Sequence, residues 1–279
     1  MGSALPLHVE VHGDPGAPRA FVLLHGYGGS LFSWREWVPA LARRGRTILV
    51  DLKGFGASPK PDDDAYAPGD QVDLVHGIIR DMDLADLTLM GHSLGGGVAL
   101  LAALRLLDEG MLHALSGLVL VAAAAFPQRL PPFVALARYP GFSSAMMRAL
   151  GARFVVRQAL RSMVYDPSDI TPEQVEGYAP PLESPAAHRA LIRTALQILP
   201  EDLDVLSRRY GQLDVPALLL WGRQDRVVPL AVGRRLAATL PRAELVVLER
   251  CGHLPAEERP AESLAAVTAF LEEIDRPPR

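Results

Sequence analysis

The stretch Leu87-Thr88-Leu89-Met90-Gly91-His92-Ser93-Leu94-Gly95-Gly96-Gly97-Val98-Ala99 decides how the rest of this chain is read. It opens as a short apolar run suited to a buried strand. It continues over 98–103 as small and apolar residues suited to a helix packed closely on its neighbours. Between them, Gly91-His92-Ser93-Leu94-Gly95 fits the G-x-S-x-G turn, which passes from strand to helix and holds a serine at its tip. Such a turn drives the serine to positive φ and leaves no room for side chains two residues to either side, hence the two glycines. The following helix points its N-terminal dipole at the serine, where it favours a developing negative charge. The competing reading of Ser93, an ordinary helix N-cap, has to be weighed against the rest of the chain.

Outward from this turn, apolar runs alternate with helical patterns. On the N-terminal side, residues 5–12 alternate as a half-buried strand, 20–25 and 47–51 read as more fully buried strands, and Asp14-Pro15-Gly16 marks a turn. Ser33-Trp34-Arg35-Glu36 has the form of a capping box for a helix ending near Gly45. Asp70 is placed to cap a helix that turns Val72, Val75, Ile78 and Ile79 inward. On the C-terminal side, a helix over 94–108 leads to a strand over 118–122. The pattern breaks at Phe126-Pro127 and resumes with a strand over 217–221, a helix over 230–240, a strand over 244–248 and a last helix after Pro260. Strands alternating with helices predict an α/β fold: a mainly parallel sheet with helices on both faces. Residues 1–125 and 213–279 then form the core. Residues 126–212, proline-rich and without a convincing strand, read as a helical lid inserted into it.

Bulk properties narrow the class. The 279 residues are enough for a substantial core, and 49% hydrophobic with 22% charged residues describes a globular protein. A net charge of −4 gives no reason to expect a nucleic-acid partner. One cysteine, Cys251, excludes an internal disulfide and suits a reducing compartment. No signal-peptide pattern opens the chain and no apolar run is long enough to span a bilayer, so a cytoplasmic location is expected. No ligand cluster calls for a metal, and no cofactor is expected.

A serine hydroxyl needs a base, usually histidine, that a third group orients. In an open α/β sheet, functional groups gather at the carboxyl ends of the strands. Of the eight histidines, His253 alone combines a late strand end with a free loop, in Leu248-Glu249-Arg250-Cys251-Gly252-His253. By the same filter Asp225 follows the strand over 217–221, whereas Asp214 precedes it and falls at the opposite edge. A surface charge paired with Arg223 or Arg226 is the plainer reading of Asp225 taken alone. The order Ser93, Asp225, His253 is the one expected for this architecture. His92 reads mainly as wall packing, His25 as a brace for its own loop, and Cys251 as a small buried residue.

On these residues the chain resembles the α/β-hydrolase superfamily, near the small bacterial esterases and lactone hydrolases. His25-Gly26 with Gly28-Gly29, Asp51 with Gly54–Ser58, Gly91–Gly96, Asp225, and Gly252-His253 with Glu258 and Pro260 carry the likeness; the lid lies outside it. The resemblance implies that the backbone N–H groups of Tyr27 and Leu94 receive the oxyanion of an acyl-transfer reaction. A serine nucleophile separates the chain from dehalogenases and epoxide hydrolases that use aspartate. The absence of lysines other than Lys53 and Lys60 speaks against a hydroxynitrile lyase. Carbon–carbon hydrolases of ring-cleavage products usually carry asparagine before the nucleophile and proline in the oxyanion turn, where this chain has His92 and Gly28.

The expected activity is therefore hydrolysis of small or medium apolar carboxylic esters through an acyl-enzyme. The alternatives are carbon–carbon hydrolysis of a vinylogous diketone, lactone hydrolysis, or a catalytically slow ligand receptor on the same fold. Tyr27, His92, Phe126, Phe142 and Met146 are the expected substrate contacts. The arginines of 126–212 read as solvated helix faces, with a landing site for an acidic acyl carrier as the lesser reading.

Overall fold

The computed structural model describes residues 7–276. Seven strands, β1 (Val9–His12), β2 (Arg19–Leu24), β3 (Arg46–Val50), β4 (Asp86–His92), β5 (Leu115–Val121), β6 (Ala217–Gly222) and β7 (Ala243–Leu248), form one sheet. Their order is β1-β3-β2-β4-β5-β6-β7, with β1 antiparallel to β3 and every other pair parallel. Each was expected from the alternation of apolar runs; the Leu5 end of the first lies outside the described residues.

Alternation along the strands sorts side chains onto two layers. Val22, Leu24, Leu89, Leu118 and Leu120 pack under the helices Pro68–Asp81 and Leu94–Asp108. Phe21, Leu23, Met90, Val119 and Val121 pack on the other face against Trp34, Trp37 and the helix Pro260–Ile274. Both faces are covered, so the central strands are apolar at successive positions rather than at every second one. Each such leucine or valine contributes about 1.5–3 kcal/mol by leaving water.

Two helix starts differ from expectation. Ser33 does not cap a long helix; it lies in a 3-10 turn, Leu31–Trp34, and a short helix begins at Val38. Pro39 explains the break, because proline fits the first turn of a helix and not its interior. Asp70 sits inside its helix, which starts at Pro68. From the third position its carboxylate accepts the Ala67 N–H at 2.8 Å, so it still satisfies the helix end.

Between β5 and β6 the chain forms the helices Pro132–Ala137, Pro140–Leu150, Ala152–Met163, Pro172–Tyr178, Pro185–Gln197 and Leu203–Arg208, with no strand among the described residues. Four of these six begin at a proline, where the missing N–H has no intrahelical acceptor to lose. β5 and β6 themselves pair directly, Leu118 opposite Ala217, so the chain leaves the sheet and rejoins it between adjacent strands. The helices bury a cluster of their own (Met147, Val156, Leu160, Val175, Tyr178, Leu182), which also takes Leu254 from the core.

The order of the sheet locates the site. β2 lies between β3 and β4, so the chain winds to one side after β2 and returns on the other. A crevice therefore opens at the carboxyl ends of β2 and β4.

Candidate active site

At the end of β4, Ser93 has φ +53° and ψ −114°. Holding a non-glycine residue there costs on the order of 1–3 kcal/mol, and the surroundings over-determine it. Its N–H donates to the Val121 carbonyl (2.9 Å), and its own carbonyl accepts from Gly97 and Ala124 at 3.1 and 3.0 Å. A β-carbon on Gly91 would stand 2.3 Å from the Gly95 carbonyl oxygen, and one on Gly95 would stand 2.3 Å from that of Leu24. The collision foreseen at both flanking positions is therefore a collision with backbone, which cannot yield.

Asp225 and His253 converge from the ends of β6 and β7. The His253 Nδ1–H donates to Asp225 Oδ2 at 2.8 Å in a buried contact. The other carboxylate oxygen of Asp225 accepts from the Val227 and Val228 amides at 2.8 and 2.9 Å. This fixes the imidazole as the tautomer whose Nε2 carries a free lone pair. Ser93 and His253 line one cavity of about 200 Å3, together with Tyr27, His92 and Met146.

His92 ties the serine turn to the histidine loop. Its ring lies 4.7 Å from that of His253, centroid to centroid. Its Nε2–H donates to the His253 carbonyl at 2.8 Å. Burial, followed by the neighbouring imidazole of His253, pushes the His92 pKa down to about 3. His92 is thus a neutral wall, consistent with the packing role read for it.

The turn after β2 supplies a second set of donors. Gly29 N–H closes it on the Gly26 carbonyl at 3.0 Å. Among the described residues, the Tyr27 and Leu94 amides have no intramolecular acceptor. The Tyr27 phenol donates to the Leu191 carbonyl at 2.9 Å, and burial pushes its pKa well up. His25 braces the loop as expected: Nδ1–H donates to the Gly26 carbonyl (2.7 Å) while Nε2 accepts from the Leu52 amide (3.0 Å). Desolvation, the largest influence, holds its pKa below the usual histidine value. Beneath it, Asp51 accepts from the Leu31 and Ala57 amides, both at 2.8 Å, and pins the Gly54–Ser58 loop.

Two expected substrate contacts lie elsewhere. Phe126 is buried against Tyr210 under the Arg235 guanidinium and does not line the cavity. The Pro127 break turns it back into the core. Phe142 is 57% exposed, on the outer face of its helix. Met146, one turn further along, faces the cavity instead. Cys251 is fully buried, and desolvation raises its thiol pKa, so no thiolate stands near the site.

Glu258, one of the residues that carry the family likeness, has a structural role in the site. Its carboxylate accepts from the amides of Gly252 (2.9 Å), Leu254 (3.0 Å) and Tyr165 (2.7 Å), clamping the His253 loop from both sides. The His253 N–H donates to the Met163 carbonyl at 2.8 Å. The only local signal for the clamp is a carboxylate four residues after an amide it caps. Nothing in the sequence announces Met163 or Tyr165.

Comparison with known proteins agrees with this fold. Residues 19–260 match the family model described as the alpha/beta hydrolase fold. The chain is 32% identical to the uncharacterized hydrolase YugF of Bacillus subtilis, over 91% of this chain and 90% of that one. It is 29% identical to a 2-hydroxymuconate semialdehyde hydrolase of a Pseudomonas strain, covering 98% and 93% respectively. A solved 2-hydroxy-6-oxo-6-phenylhexa-2,4-dienoate hydrolase from Rhodococcus superposes with a TM-score of 0.78 at 27% identity, over 95% of this chain and 94% of that one. A mainly parallel sheet with the G-x-S-x-G turn at its switch point, and a family match over most of its length, mean that the chain belongs to the alpha/beta hydrolase fold family.

Proposed function

We propose that this protein is a serine hydrolase of carboxylic esters with a neutral, apolar acyl group of small or medium size. The observation that carries the reading is the chemistry of the cavity wall. Among the described residues it contains no arginine, lysine, aspartate or glutamate, and its imidazoles are those of His92, His253 and His188. A carboxylate-bearing substrate would enter such a wall without a counter-ion, at a cost of several kcal/mol.

In the proposed mechanism His253 takes the proton of Ser93 as Ser93 attacks the ester carbonyl. Asp225 holds the imidazole and stabilises its charged form. The amides of Tyr27 and Leu94 receive the oxyanion. The alcohol leaves with the proton from His253, and water then attacks the acyl-enzyme with His253 again as base. The helices between β5 and β6 act as a lid over the acyl group, with Met146 and Tyr27 in contact with it.

A second reading, carbon–carbon bond hydrolysis of a vinylogous diketone, is favoured by the relatives, five of which are named for semialdehyde or oxo-dienoate substrates. Against it stand His92 before the serine, Gly28 in the turn, and a wall with no cation for a dienoate carboxylate. A panel of p-nitrophenyl esters of graded chain length, run beside a ring-cleavage dienoate, decides between them. The ester reading expects turnover of short and medium acyl chains and none of the dienoate. Turnover of the dienoate alone would overturn it. Labelling by a fluorophosphonate, lost in Ser93→Ala, is expected under both and tests the serine itself.

A further inference from the structure

Charge is segregated in this chain. From Phe126 to Tyr165 it carries Arg129, Arg138, Arg148, Arg153, Arg157 and Arg161 and no aspartate or glutamate, in a protein whose formal charge is −4. All six arginines are exposed. Arg153 is paired with Glu176 and Glu183; among the described residues the other five make no ion pair. The same segment holds five of the nine large apolar side chains exposed among the described residues, including Tyr139 (66%), Phe142 (57%), Leu150 (49%) and Phe154 (47%).

Helical spacing mixes the two kinds on one surface. Phe154, Arg157 and Arg161 are separated by three and four residues and share the outer face of Ala152–Met163, while Val156 and Leu160 of that helix are buried. On Pro140–Leu150, Phe142 and Arg148 point outward and Met147 inward. A face meant only for water gains nothing from exposed aromatic rings and ordinarily carries charges of both signs. Apart from Arg153, held by Glu176 and Glu183, the arginines of this face have no acidic partner among the described residues. With aromatic tips beside them, the face has the composition of a helix lying in a lipid headgroup plane, cations at the phosphates and rings at the acyl boundary. A second copy of this chain meeting the face about a two-fold axis would bring arginine against arginine. An acidic protein would satisfy the arginines but leaves the rings unexplained.

We propose that the outer face of helices Pro140–Leu150 and Ala152–Met163 docks the protein on an anionic lipid surface. Val155 and Met146 of these helices line the cavity, so docking sets the cavity roof against the acyl phase. That the membrane supplies the ester substrate rests on the esterase reading; the docking itself does not.

Sedimentation of the full chain with vesicles tests it. The probe is phosphatidylcholine with about a third phosphatidylglycerol, compared with phosphatidylcholine alone. Binding is expected to the anionic vesicles only, and to be released as salt approaches 1 M, where screening shortens to about 3 Å. Arg148→Glu with Arg157→Glu and Arg161→Glu is expected to lower partitioning at least about tenfold. Tyr139→Ser with Phe154→Ser lowers it severalfold. Hydrolysis of a short soluble ester stays unchanged in both variants, which also reports that they fold. Equal binding to both vesicle types, or to neither, overturns the proposal, as does retention of an acidic acyl-carrier protein in place of vesicles. Loss of soluble-ester hydrolysis in the unaltered protein would instead count against the esterase reading and leave the sedimentation result to stand by itself.

Discussion

The strand ends and the helices above them are built by different means. At the strand ends, position is set by backbone. Ser93 is held by three main-chain hydrogen bonds, Asp225 by two amides, and the serine turn by glycines whose replacement would meet carbonyl oxygens. The helical segment between β5 and β6 is joined to the core largely through side chains. Glu257, buried at the boundary, accepts from Arg35 at 2.9 Å, Tyr178 at 2.5 Å and Gln174 at 3.2 Å. On another side Arg193 reaches Asp62 at 2.8 Å. A backbone frame tolerates little change and suits chemistry that demands sub-ångström placement. Side-chain joints can be exchanged one at a time, which suits the substrate-selecting role proposed for these helices.

Changes at the frame should be severe, and the largest is chemical. Asp225→Asn is expected to lower kcat for the ester by about 10⁴ with the fold intact, because an amide stabilises the wrong imidazole tautomer; stopped assays with matched circular dichroism check it. Gly95→Ala comes next. The added methyl has no soft neighbour to displace, so a loss on the order of 3 kcal/mol, read as a lowered denaturation midpoint, is expected. If this variant were as stable as the parent, the rigidity assigned to the frame would be wrong.

At the joint, Tyr178→Phe removes the hydrogen bonds to the buried Glu257 carboxylate and to Ser33 Oγ and should cost about 1–3 kcal/mol. Amide exchange is expected to quicken in Pro172–Tyr178 and leave β2, β4 and β5 unaltered. Equal loosening of the strands would erase the contrast. At the cavity wall, Met146→Ala should shift the preferred ester towards longer chains with a severalfold change in KM and little change in kcat.

The neutral imidazoles predict a pH effect with a definite sign. His92 falls from 6.5 in the unfolded chain to about 3 when buried, and His25 is lowered as well. Between these limits the unfolded state binds more protons, so their contribution is complete above pH 6.5 and is lost as pH falls towards 3. His92→Asn is expected to flatten part of that fall in thermal unfolding followed against pH.

Much of this was legible because it is local. The apolar runs of β2, β4, β5 and β6, the helix 94–108 and the flanking glycines each follow from a local pattern or a steric demand contained within a few residues. Asp225 and His253 needed one further rule, that a parallel sheet exposes function at its carboxyl edge. The Phe126 contact failed, and Glu258 had no role to read, because the deciding contacts of both are distant. The side of the chain that Phe126 takes depends on Tyr210 and Arg235, and the role of Glu258 depends on Tyr165, 93 residues away.

The amino-acid sequence alone determined the order of strands and helices, the strained serine and the partners to be sought for it, since these rest on periodicity and on backbone sterics. Only the tertiary structure decided which side chains form the cavity wall and that, among the described residues, no fixed charge lies on it. Facing helices choose their contacts by packing, and a helical pattern states which face is apolar without saying what that face will meet.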